Sequence, residues 1–128
     1  LSSGFSSMKT SSKKAKGRRL QQHVEQALAK VLKLPAGKDE LVQSRPMSQS
    51  GSDVVLIGEA KRKFPVYIEC KNQEKWEIPK WIRITEESAK RYGFGKWLLV
   101  MKRNRSPTYV LLPFEDFLEW VEKAIKIG

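Results

Sequence analysis

The sequence predicts an α/β domain, with a mixed central sheet of four or five strands and helices flanking it. Three observations lead there. An apolar stripe at helical spacing runs through residues 18–34. Two β-rich runs, Val54-Val55-Leu56-Ile57 and Val66-Tyr67-Ile68-Glu69-Cys70-Lys71, stand either side of a short turn-rich gap. A further apolar run at residues 97–101 lies between two more helical patterns. Strands interleaved with helical segments favour α/β layering. A chain of 128 residues fills one domain and one core.

In chain order, residues 8–16 are rich in Ser, Thr and Lys, with Lys9, Lys13, Lys14 and Lys16. So polar a stretch reads as a disordered basic arm. Residues 1–15 are therefore set apart from a single domain at 16–128. Met8 reads as a natural start, which makes residues 1–7 a cloning remnant. The first helix, residues 18–34, carries Leu20, Val24, Ala27, Leu28, Val31 and Leu32 as its stripe, and Pro35 and Gly37 stop it. Arg18, Gln21 and Glu25 line one flank of the stripe, while His23 faces solvent on the other.

Residues 41–45 read as a short strand and 46–52 as a polar loop leading to Asp53. The two β-rich runs read as a hairpin with Lys61, Arg62 and Lys63 in its turn, either a soluble turn or a grip on a polyanion backbone. Alternation places Tyr67, Glu69 and Lys71 on one face and Val66, Ile68 and Cys70 on the other. Antiparallel pairing of Ile57 near Val66 brings Asp53 opposite Glu69 and Lys71. Residues 79–92 form a second helix with Trp81, Thr85, Ser88, Ala89 and Tyr92 on one face, ended by Gly93 and Gly95. A buried strand at 97–101, a basic turn at 102–107 and a strand at 109–112 follow. The closing helix, 114–127, has two apolar stripes. Phe114, Leu118, Val121 and Ile125 form one, and Phe117, Trp120, Ala124 and Ile127 the other. A helix on a sheet needs one, so the second is a candidate seam to a partner.

The chemistry centres on Asp53, Glu69 and Lys71. Two close carboxylates repel unless a positive charge stands between them. A divalent, oxygen-seeking ion fits, Mg²⁺ first and Mn²⁺ as the alternative, and leaves positions open for water and phosphate. This is a layout for phosphodiester hydrolysis. The net charge of +11 favours a polyanionic partner, nucleic acid before an anionic membrane, because no helix is both basic and amphipathic. No apolar run spans a membrane and no signal peptide is seen. The single cysteine, Cys70, excludes an internal disulfide and reads as a small core-facing residue, consistent with a reducing cytoplasm.

An acid ahead of one strand and Glu69-Cys70-Lys71 on the next resembles the PD-(D/E)xK nuclease superfamily. The segments Lys16-Gly17-Arg18-Arg19-Leu20-Gln21-Gln22, residues 64–75, and Lys102-Arg103-Asn104-Arg105-Ser106 through Leu112-Pro113 look like its phage-borne members, themselves similar to archaeal Holliday junction resolvases. The resemblance covers residues 13–121. It implies a restriction-endonuclease-like core and a Mg²⁺-dependent endodeoxyribonuclease that resolves four-way junctions as a symmetric homodimer, in the host cytoplasm if phage-encoded. It also implies Asp53, Glu69 and the Cys70 carbonyl as metal ligands, with Lys71 holding the attacking water or stabilising charge. In archaeal resolvases a catalytic glutamate follows the Lys-Gly pair by four positions. Gln21 stands there in this chain, and Glu25, one turn on, is the other candidate. Ser50 matches a serine of the mobile loop. Lys13, Lys14, Lys16, Arg18, Arg19, Lys61, Arg62 and Lys63 are the expected DNA contacts. Three other readings stand beside this one: a nicking or restriction-like endonuclease on duplex DNA, a non-catalytic DNA-binding protein on a degenerate nuclease fold, and a structural protein whose Glu69 and Lys71 form an ordinary ion pair.

Overall fold

The computed structural model of the chain describes residues 2–46 and 49–127, with side chains from residue 12 onward. Lys9 as a side chain, and residues 47–48 of the polar loop, lie outside the described residues. The elements run α1 (Ser2–Leu32), β1 (Val42–Ser44), β2 (Val54–Leu56), α2 (Glu59–Lys63), β3 (Tyr67–Asn72), α3 (Ile78–Arg91), β4 (Trp97–Lys102), β5 (Tyr109–Leu111) and α4 (Phe114–Ile127). Sheet order is β1-β2 in one sheet and β3-β4-β5 in the other. β3 and β4 are parallel, β4 and β5 antiparallel, so the larger sheet is mixed. This is the α/β, restriction-endonuclease-like core that the sequence predicts.

β3 alternates as expected. Val66, Ile68 and Cys70 face the cluster built with Leu20, Val24 and Ala29 of α1. Tyr67 faces the cluster built with Trp81 and Ala89 of α3. β4 does the same, with Leu98 and Val100 toward α1 and Trp97, Leu99 and Met101 toward α3. A strand covered on both faces must be apolar throughout, which is why residues 97–101 read as an unbroken run. α3 begins with Pro79 in its first turn. It ends in a Schellman turn, in which Phe94 N–H reaches Ala89 C=O at 2.8 Å and Gly93 N–H reaches Lys90 C=O at 3.1 Å.

Three expectations are corrected. First, helix α1 starts at Ser2, not near residue 18. Lys13, Lys14, Ala15 and Lys16 are strong helix formers, and extending a helix costs far less than nucleating one. These lysines therefore project from a helix. Second, the inward face of α1 is rotated. Ala27 and Val31 are exposed, whereas Gln21, Glu25 and Ala29 are buried. Ser44 of β1 gives Glu25 a polar partner, and Gln21 borders the open groove beside α1. Third, the hairpin is absent. β2 pairs antiparallel with β1, Ser44 opposite Val54 and Val42 opposite Leu56. Gly58, at φ +55°, turns the chain into α2. Ala60, in that helix, is its buried residue. Lys61, Arg62 and Lys63 lie in its last turn and Glu59 in its first, the arrangement that suits a helix dipole. On α4 both stripes are open. Trp120 of the expected seam packs its ring 5.7 Å from that of Phe64, but Phe117 and Ile127 are 47% and 88% exposed, and Phe114 and Ile125 of the other stripe 68% and 73%. No helix among the described residues is long and apolar enough to cross a membrane.

Gly93 sits at φ +80° with nothing within 4 Å of where a Cβ would be. Gly93→Ala should therefore cost backbone strain alone, roughly 1–2 kcal/mol, read as a lower urea midpoint at unchanged m-value.

Candidate active site

The site forms where three local rules meet. β3 leaves the sheet at Asn72, so Glu69, Cys70 and Lys71 lie at its C-terminal end. Asp53 precedes β2, and its backbone N–H donates to Ile68 C=O at 2.7 Å. Its carboxylate accepts the Cys70 N–H at 2.7 Å. Ser52, buried one residue earlier, accepts the Ile68 N–H at 2.9 Å and donates to Val54 C=O at 2.7 Å. These two side chains take up the backbone groups that a regular β2–β3 ladder would have satisfied. As a result Asp53, Glu69, Cys70 and Lys71 line one cleft of about 660 Å³, together with Lys13, Lys16, Gly17 and Gln21 of α1 and residues 72–75.

The electrostatics follow from that burial. Glu69 is pushed up to about 8, first by burial and then by the Asp53 charge, with Lys71 opposing. Asp53 is also raised by burial, while the Cys70 amide, Lys71 and Arg45 hold it down. The Lys71 ammonium stands 3.9 Å from Glu69 and 5.9 Å from the Trp81 ring centroid. One ammonium does not compensate two buried carboxylates, and a proton is retained between them. A divalent cation would take the place of that proton. Among the described residues no three His, Cys, Asp or Glu side chains gather. The available donors are the two carboxylates, the Cys70 carbonyl and the Gln21 amide oxygen, all oxygens, the set a hard cation prefers. The donor set fits such an ion.

The structure separates the two helix candidates. Gln21, only 5% exposed, lines the cleft. Glu25 is buried one turn further on, where its carboxylate accepts from the Ser44 hydroxyl at 3.1 Å, and it does not line the cleft. Ser50 accepts from the Tyr92 hydroxyl at 2.9 Å, beyond the end of α3 and outside the cleft. Lys14 and Arg18 line a second groove across α1 with Arg45 and Gln22, and Gln21 borders both grooves. Arg19 is exposed and lines neither. Lys61 lies over Phe94, and Lys63 bonds Leu32 C=O and Glu59, both away from the cleft. Sequence reasoning missed Ser52, Asn72, Glu74 and Arg45. Glu74 stands in a stretch of mixed charge, with Lys71 and Lys75 on either side and Glu77 beyond, which gives it no local signal. Its carboxylate accepts from Lys16 at 3.2 Å and from the Asn104 N–H at 2.7 Å, and these contacts, the Asn104 amide foremost, hold it below the usual range.

An acid entering one strand and Glu-Cys-Lys on the next, meeting in a cleft with lysines on its walls, define a nuclease core of the PD-(D/E)xK type. The chain belongs to the phage putative PDDEXK endonuclease family, whose model matches residues 12–127. No curated protein and no solved structure matches it.

The raised carboxyls fix a pH dependence. Between the ordinary Glu value of 4.5 and about 8, the folded chain holds a proton that the unfolded chain has lost. Stability of the metal-free protein must therefore fall as pH rises through that window. Glu69→Gln should flatten the fall in melting temperature between pH 5 and pH 8. Added Mg²⁺ should raise the wild-type melting temperature more at pH 8 than at pH 5, and have little effect on the variant. An equal decline with pH in both proteins would remove Glu69 as its source.

Proposed function

We propose that this chain is a Mg²⁺-dependent endodeoxyribonuclease that resolves four-way DNA junctions as a symmetric homodimer in the cytoplasm of the infected host. The observation that carries the nuclease part is the convergence of Asp53, Glu69 and Lys71 in one cleft walled by lysines. Asp53, Glu69 and the Cys70 carbonyl would hold the cation, with Gln21 beside them, and Mn²⁺ would serve in its place. When bound, the cation supplies Lewis acidity that neutralises phosphate charge and acidifies a water.

The remaining work falls to the chain. The Cys70 amide fixes Asp53 and keeps its carboxylate turned into the cleft. The Lys71 ammonium, held between Glu69 and the Trp81 ring, is placed to stabilise charge growing on the phosphoryl oxygens. Lys13 and Lys16 on the α1 wall and Lys75 on the other would meet phosphates on either side of the cut. Lys14 and Arg18 offer a second phosphate track across the helix. Such contacts position DNA without reading its bases, which suits a substrate recognised by shape.

The dimer reading draws on α4. Phe114, Leu118, Val121 and Ile125 present a continuous exposed apolar stripe. Covering it with the same stripe of a second copy would remove it from water. It would also relate two clefts by the two-fold axis that a junction shares. Intact Asp53, Glu69 and Lys71 favour a working enzyme over a degenerate binding protein.

Asp53→Asn and Glu69→Gln should each lower cleavage at least 100-fold, on the order of the loss of one transition-state donor, with DNA affinity retained in a filter-binding assay. Gln21→Ala should reduce cleavage, whereas Glu25→Ala should spare it and lower stability by orphaning the Ser44 hydroxyl. Leu118→Glu should give a monomer by sedimentation and convert paired cuts of a four-way junction into single nicks. Wild-type turnover in either acid variant would end the assignment of that residue to the site. A monomeric wild type that cuts linear duplex as fast as a junction would leave a duplex endonuclease instead.

A further inference from the structure

Beside the cleft lies an aromatic cluster that the reading above does not use. The Arg103 guanidinium lies 4.8 Å from the centre of the Trp76 ring. The Tyr109 ring meets Trp76 edge to face at 6.0 Å and 77°. Arg103 is exposed and Tyr109 is 49% exposed. We propose that this Arg103–Trp76–Tyr109 stack docks an unstacked nucleobase of the strand leaving the cleft, so that the chain prefers DNA with unpaired nucleotides beside the cut over continuous duplex. The proposal rests on the nuclease part of that reading and goes beyond its junction substrate, since every base of a four-way junction is paired.

Three features support it. The stack is tied to the cleft. Glu74 lines the cleft, accepts from Lys16 on its far wall, and accepts the Asn104 N–H from the turn that carries Arg103. The stack is also rigid. The Lys102 ammonium donates to Arg103 C=O and Ser106 C=O, both at 3.1 Å. Ser106 Oγ accepts the Arg103 N–H at 3.2 Å, and Arg105 closes the turn at φ +59°. The Trp76 indole N–H finds no acceptor among the described residues, so packing against Arg103 and Tyr109, not a hydrogen bond, orients the ring. A surface ordered before binding loses little freedom on binding.

The third feature is chemical. Lys13, Lys16 and Lys75 in the cleft already offer point charges to phosphates. The stack offers flat faces, one of them a guanidinium, and these match a base plane. Base–aromatic stacking tolerates any sequence because every base has a π face. In a continuous duplex those faces are covered by neighbouring bases, and exposing one costs unstacking energy. At a gap or flap that cost is already met.

The test uses the full chain carrying Asp53→Asn, so that bound DNA stays intact. Its affinity is measured by fluorescence anisotropy for a paired duplex and for the same duplex with a three-nucleotide flap, and separately with 2-aminopurine in the flap. The flap should bind about tenfold tighter, the size expected for one stacked base, and the 2-aminopurine should be quenched. Adding Tyr109→Ala or Arg103→Ala should abolish the preference and the quenching while duplex affinity changes less than twofold. Arg103→Lys should behave as Arg103→Ala in the preference, because an ammonium has charge but no plane. Equal affinity for the two DNAs, or variants that weaken both alike, would overturn the proposal and leave the stack as a brace for its turn. Failure of the Asp53→Asn chain to bind either DNA would instead overturn the nuclease reading beneath it.

Discussion

The hydrogen bond from the Cys70 amide to the Asp53 carboxylate, 2.7 Å long, ties this molecule together. β1-β2 and β3-β4-β5 are separate sheets. Their junction is made by the Asp53 backbone, the Asp53 carboxylate and the Ser52 hydroxyl, each taking a group on the outer edge of β3. A buried amide left without a partner is costly, so the carboxylate that closes the sheet edge cannot swing away. The same bond draws Asp53 next to Glu69 in a place where water is scarce. Fold and electrostatic strain thus have one origin, and the strain makes the cleft receptive to positive charge.

Each layer contributes to the cleft. The α1 layer brings Gln21 and Lys16, and the α3 layer brings the Trp81 ring beneath Lys71. The mixed sheet between them delivers Glu69 and Lys71 on one face while Cys70 and Ile68 anchor the other in the core. Alternation makes this possible, since a strand covered on both faces can hold chemistry at its end without loosening its middle.

Much of this is legible in the sequence, and the failures share a cause. β3, α3 and β4 are long enough for their periodicity to register, and the Asp53, Glu69 and Lys71 spacing places them at one strand end whether the connection is a turn or a helix. The three-residue strands β1 and β2 and the five-residue α2 carry too few residues for a period, so the hairpin reading fails there. The polar face of α1 is a different case. Gln21 and Glu25 look like solvent residues until Ser44 and the cleft are seen across from them. Ser52 looks like its neighbours in a serine-rich loop and differs only in what lies opposite it. The Arg103–Trp76–Tyr109 stack is assembled by tertiary structure from the loop after β3 and the β4–β5 hairpin, beyond any local pattern.

Cys70 presents its amide to Asp53 and turns its side chain toward the α1 cluster. Burial, with Asp53 and Glu69 nearby, holds its thiol well above the ordinary value. Alkylating reagents react with a thiol through its thiolate, so the folded chain keeps its sole thiol in the unreactive form. The strand that carries the reaction site therefore carries its own clock. A thiol reagent counts the moments when β3 parts from α1, and a ligand that bridges Asp53 and Glu69 slows that count without touching the sulfur.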